Sequence, residues 1–220
     1  MVGLVAPEMD KFRRLARILA LLAGAKKAGF SPLSITQMHS FAFLVNVLSP
    51  VWSMPPMDAR VLKVRKGPYY PGLQDDIDEL IGRSVVMISD IEYIVDDERS
   101  GLRLDGNIEL NAEFAPRIFE VMLSFAEERN FQVFIDELAL ALATLSPAEF
   151  DLSAGEDATY GDVNIAYDDV VDFAEYKDRN YSAKAAMFLG RLARSGAATT
   201  AGEKLHLYVR HMRDRLQDAR

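Results

Sequence analysis

The charges of this chain are sorted along its length, and that sorting limits how it can fold. Residues 1–66 carry ten basic and three acidic side chains, a net of +7. Residues 67–147 carry five and seventeen, a net of −12, and residues 148–178 carry one and ten, a net of −9. Residues 179–220 return to nine and three, a net of +6. The ends are basic, the middle is acidic, and the whole stands at −8. Two arrangements accommodate this. The ends can pack near the acidic centre and neutralise it, or they can form a basic face for nucleic acid or an acidic partner.

Half of the 220 residues are hydrophobic and 26% are charged, which suits one large or two small globular domains. The absence of cysteine removes disulfides, thiolate zinc sites and thiol catalysis. The longest apolar stretches, such as residues 18–25, fall far short of the ~20 residues that cross a bilayer. Lys11, Arg13, Arg14 and Arg17 are interleaved with apolar residues, which is not the layout of a signal peptide. The expectation is a cytoplasmic protein with no membrane contact.

Helical spacing of Phe12, Leu15, Ile18, Leu19 and Leu22 predicts a first helix over 10–28, capped by Asp10 and stopped by Gly29. Ser34 predicts the cap of a second helix running to Leu48, and Pro50, Pro55 and Pro56 forbid helix beyond it. Residues 61–66 alternate as a short strand. A third helix starts after Pro71 and ends near Ser84, with Leu73, Ile77, Leu80 and Ile81 as its apolar stripe. The β-rich runs 85–95 and 102–110 flank a polar turn and predict a hairpin. Further helices are expected over 112–128, capped by Asn111, and over 131–145, whose apolar end, 138–145, suits a central buried helix or a dimer contact. Residues 150–162 read as a loop, and two elements, 182–194 and 201–217, close the chain. The fold class expected is α+β, mainly helical. A winged-helix module over residues 34–110 would lie in an N-terminal region, 1–110, and a helical region with an acidic loop, 111–220, would pack on it.

The most informative stretch is the apolar helix Met38–Leu48, then Lys63-Val64-Arg65-Lys66-Gly67-Pro68-Tyr69-Tyr70-Pro71, then the acidic helix with Asp75, Asp76, Asp78 and Glu79. Gly67 permits a turn closed to other residues, and the prolines stiffen the backbone after it. Pro71 suits a helix start. Tyr69 and Tyr70 either pack into the domain or anchor a partner. This stretch resembles the winged-helix proteins of bacterial conflict systems, among them the SocA-like (Panacea) antitoxin domain. The nearer likeness is to the middle components of ABC-ATPase three-component systems, which include Lamassu-type anti-phage defence. It covers residues 10–110. The resemblance implies a non-enzymatic adaptor, assembled with an SMC- or Rad50-like ATPase and an effector such as a nuclease, and no cofactor. The alternative it leaves is an antitoxin that binds one toxin. The protein-binding residues expected are Tyr69, Tyr70, Asp75, Asp76, Asp78 and Glu79.

A DNA-reading winged helix offers Arg, Lys, Asn or Gln to base edges. Here the third helix carries four carboxylates, which a phosphate duplex repels, and Asp96, Asp97 and Glu98 make the wing tip acidic too. Sequence-independent backbone contact needs only a basic strip, for which Lys63, Arg65, Lys66, Arg210 and Arg213 are the candidates. The chain has neither a P-loop nor a His-Glu-x-x-His helix. His39 reads as a core or edge residue, and His206 and His211, five apart, do not share a helix face. One weak metal-nuclease pattern exists, Asp162 with Glu175-Tyr176-Lys177, where Val170, Val171 and Phe173 supply a strand. The acidic segment 149–178 reads first as a solvated loop, and second as a docking surface for a basic partner.

Overall fold

The computed structural model describes residues 6–58, 60–65, 67–96, 101–173, 180–193 and 199–218. The first helix, α1 (Ala6–Ala28), starts ahead of Asp10, which therefore lies inside it and is not its cap. Gly29 ends α1 with a positive φ of 87°, a conformation glycine adopts without penalty. A short strand, β1 (Leu33–Ser34), leads into α2 (Ile35–Leu48).

Ser34 caps α2 as expected. Its Oγ accepts the Gln37 N–H at 3.0 Å, and Gln37 Oε1 accepts the Ser34 N–H at 3.0 Å. This reciprocal cap is worth roughly 1 kcal/mol. All of α2 except Thr36 and Gln37 is buried, so the helix is enclosed around its circumference rather than along one stripe. A 3-10 turn at Ser49–Trp52 ends it, where Pro50 bars further α-helix.

Strands β2 (Arg60–Val64) and β3 (Gly67–Tyr69) form a hairpin that pairs Val64 with Gly67, whose φ is 124°. The Gly-Pro-Tyr segment is thus a strand edge and not a free linker. Helix α3 (Pro71–Gly82) begins on Pro71 as expected. Strands β4 (Val86–Asp96) and β5 (Gly101–Leu110) form the expected long hairpin, and β1 joins it in the order β1-β5-β4. A register shift between Ser89 and Glu92 marks a bulge that bends this ribbon. The expected tip residues Asp97 and Glu98 lie outside the described residues.

The helices after the hairpin depart from expectation. The break falls at residues 123–125, between α4 (Ala115–Met122) and α5 (Ala126–Leu142). Phe125 is extended, and the Arg129 guanidinium donates at 2.8 Å to the carbonyls of both Leu123 and Ser124. A side chain in the next helix therefore satisfies carbonyls that the broken turn leaves open. Asn111 does not cap a helix; it accepts the Glu113 N–H and donates to the Ser84 carbonyl, tying the hairpin end to the end of α3. Residues 147–156 are helical, α6 (Pro147–Glu156), which takes up the first half of the loop expected over 150–162. Ser146 and Glu149 form a second reciprocal cap there, with Pro147 in the first turn. Strand β6 (Val170–Asp172) adds antiparallel to β2, giving the order β3-β2-β6. Helices α7 (Tyr181–Ala193) and α8 (Ala201–Asp218) close the described chain close to where they were expected.

The protein is α+β and mainly helical. One hydrophobic core runs from Leu22 of α1 through Phe43 of α2 and Phe134 of α5 to Val209 of α8. The regions 1–110 and 111–220 thus share a core, and β6 on β2 places one sheet across the boundary between them. Leu138, Ala139, Ala141 and Leu142 of α5 are buried in that core, which answers the choice between buried helix and dimer contact for most of that stretch. At Gly24 α1 approaches α5 closely, since a Cβ there would stand 2.7 Å from Ile135 Cγ2. Among the described residues, no single helix is long and apolar enough to cross a membrane.

Candidate protein-binding groove

The basic face of α1 is spent on the acidic centre. Arg14 meets Asp76 of α3 at 2.9 Å, and Lys11 meets Glu79 at 2.5 Å. Arg13 meets Glu127 at 3.1 Å and Glu128 at 3.3 Å, and Arg17 reaches the same two carboxylates at 3.2 and 3.3 Å. Lys27 meets Asp136 at 2.6 Å. Arg17 is only 4% exposed and lies over the Phe131 ring at 4.6 Å. Of the two arrangements open to the sequence, the N-terminal helix takes the first: it folds back and neutralises the centre. The hydrogen bond from Lys11, with help from Arg83, holds the Glu79 carboxyl below its ordinary range.

The structure divides the six residues expected to meet a protein partner. Tyr70 is 1% exposed. Its hydroxyl accepts from Asn46 at 2.8 Å and its N–H donates to His39 Nδ1 at 3.2 Å. With Nδ1 accepting, His39 carries its proton on Nε2, facing Gln74 Oε1 at 3.3 Å. Burial raises the Tyr70 pKa well above normal, so the hydroxyl stays neutral. Tyr69 is also buried, against the His39 ring at 4.9 Å. The Gly-Pro-Tyr-Tyr-Pro segment therefore works inward, as an anchor between β3 and α2. Asp76 is buried under Arg14, and Glu79 is half-buried between Lys11 and Arg83. Asp75 and Asp78 remain exposed.

The expected basic strip loses Lys63. Lys63 is buried and donates to the carbonyls of Asp162 and Ile165 at 3.0 and 2.9 Å. Burial lowers its pKa against the raising influence of Asp162 and Asp169. Arg65 is exposed and lies beside the Tyr167 ring, Arg210 is exposed on α8 and Arg213 half-buried on it. Lys66 lies outside the described residues. So do Glu175, Tyr176 and Lys177 of the nuclease pattern, while Asp162 accepts from the Asn164 backbone and amide. Among the described residues no group of three metal-binding side chains occurs.

The acidic segment is only in part a solvated loop: Asp168 and Asp169 are exposed in the irregular stretch after Asp162, but two carboxylates before it are not. Glu149 serves the α6 cap, and Asp157 is wholly buried. Asp157 Oδ1 accepts from the N–H groups of Thr159 and Tyr160 at 2.8 and 3.1 Å and from Ser182 Oγ at 2.7 Å. Oδ2 accepts from the Tyr208 hydroxyl at 2.7 Å. Asn180 extends the network, donating to the Val47 carbonyl at the end of α2. Burial raises the Asp157 pKa, and the hydrogen bonds only partly oppose it. This network joins α2, α6, α7 and α8, and nothing in the local sequence announces it.

The exposed apolar surface concentrates elsewhere. A groove of about 710 Å³ runs between α1, α4 and the start of α5. Phe12 and Ala16 form one wall, Ile118 and Val121 the other, with Met122 and Phe125 between. Phe12 is 60% exposed, Val121 65% and Phe125 59%. The helix expected over 112–128 would carry Val121 and Phe125 without a break. The break at 123–125 leaves both facing out, and no local signal forecasts it. A second hollow, about 540 Å³, lies over Tyr160 and Ile165, and its one deep cation, Lys63, is already held by two carbonyls. Comparison of the chain with protein families gives no match, and comparison with curated proteins gives none either.

Proposed function

We propose that this protein is a non-enzymatic adaptor of a bacterial anti-phage defence complex, working in the cytoplasm. It links an SMC- or Rad50-like ABC ATPase to an effector such as a nuclease. The observation that carries the binding role is the α1–α4–α5 groove, where Phe12, Val121 and Phe125 are each more than half exposed on one concave surface. Large apolar side chains gathered this way mark a surface built for a protein partner.

The order α1, β1, α2, α3, β4, β5, with β1 paired to β5, supports reading residues 34–110 as a winged helix that carries an inserted β2–β3 hairpin. In that reading α3 stands where a DNA-reading helix would stand. Its outward residues include Asp75 and Asp78, which repel phosphate, so the module serves protein contact. The likeness to the middle components of three-component ATPase systems supplies the class of partner.

Co-purification from the native operon tests the proposal. The tagged chain is expected to elute with an ATPase and an effector in one complex. A chain that elutes alone and monomeric, with its neighbours absent, overturns it.

A further inference from the structure

We infer that the groove receives an amphipathic helix of the partner, carrying apolar anchors and a carboxylate that meets Arg117. The inference rests on the adaptor reading. Two helices, α1 and α4, form the walls, and the small side chains of Ala16 and Ala126 leave room between them. A cleft between two helices with apolar walls is the shape that takes a third helix by its i, i+3/i+4, i+7 side chains. Met122 lies at its base, a flexible side chain that fits itself to different anchors.

The charges around the groove choose the partner's sign. Arg13, Glu127 and Glu128 line it, but they bond to one another and to Arg17. Arg117 also lines it, is exposed, and makes no ion pair with a described residue. A single unspent cation on an apolar rim favours a carboxylate on the incoming helix and disfavours a lysine.

The probes are two labelled synthetic helical peptides, each with leucines at i, i+4 and i+7. One carries glutamates on the flank and the other carries lysines. Fluorescence anisotropy with the full chain is expected to show saturable binding, about tenfold tighter for the glutamate peptide, the effect of one partly screened charge pair. Val121→Asp abolishes binding while circular dichroism shows the chain still folded, and Arg117→Glu reverses the preference. Equal affinity for both peptides, no binding, or binding that survives Val121→Asp overturns the inference. So does tighter peptide binding after deletion of residues 1–5, which assigns the groove to the chain's own apolar N-terminal segment. A dimer that Val121→Asp dissolves assigns it to a second copy and overturns it too. In the native complex, partners retained by the wild type and equally by Val121→Asp overturn this inference alone. A wild-type chain without partners overturns the adaptor reading along with it.

Discussion

Two regions of the molecule bury carboxylates, and they do so by opposite means. In the seam of α1 against α3 and α5, each carboxylate faces a cation: Asp76 has Arg14, and Glu128 has Arg13 and Arg17. Around Asp157 the donors reaching the carboxylate are neutral: two backbone N–H groups, a serine and a tyrosine. The seam balances charge between segments that the sequence made unequal. The Asp157 network holds one charge, or one proton, inside four converging elements. A cation in the seam can be moved or replaced by apolar packing, whereas the Tyr208 hydroxyl and the Tyr160 N–H are aimed at Asp157 alone.

The largest effect is expected at the network. Asp157→Ala orphans the buried Tyr208 hydroxyl and the Tyr160 N–H, leaves Ser182 and the Thr159 N–H only the contacts between Thr159 and Ser182, and should lower stability by about 3 kcal/mol or more, read from urea midpoints. Asp157→Asn tests the protonation. Burial raises the folded-state pKa above the ordinary 3.8, so between those two values the folded chain holds a proton that the unfolded chain has lost. The stability this group contributes is therefore greatest in acid and declines as pH rises from 3.8 through the raised value. The wild-type urea midpoint should contain that decline, and Asp157→Asn should lack it.

The seam should respond less. Arg17→Ala leaves Glu128 buried with Arg13 still beside it, so the loss should be about 2 kcal/mol, below that of a buried pair broken outright. Arg17→Met combined with Glu128→Leu should recover most of that by calorimetry, because apolar packing substitutes well for a buried ion pair. No such rescue is expected at Asp157, and finding one would dissolve the distinction between the regions. Further along the same contact, Gly24→Val forces a side chain into Ile135 and should lower stability by about 2 kcal/mol. Lys27→Ala, whose ammonium is largely exposed at its pair with Asp136, should change stability by less than about 1 kcal/mol, and the change should shrink further in high salt.

The legibility of each feature in the sequence depends on the range of the interaction behind it. The Ser34 cap, the Pro71 helix start and the β4–β5 hairpin are written in adjacent residues, and the structure bears them out. The Ser146–Glu149 cap is equally local and present in the sequence, but the acidic residues around it point toward a loop. The seam is legible only as a charge imbalance, since Arg14 finds Asp76 across 62 residues of chain. The inward use of Tyr70 depends on Asn46 and His39 in another helix, and no spacing rule reports that. The groove is the least legible feature. It exists because Arg129 stabilises a break between α4 and α5 that turns Val121 and Phe125 outward.

The partner is expected to meet α1, α4 and the start of α5, and not the acidic helix that the sequence puts forward. Hydrogen exchange on the purified complex, compared with the free chain, tests this most directly. New protection is expected within residues 12–16 and 117–126, with α3 unchanged. Protection confined to residues 71–83, with none along the groove, would contradict that expectation.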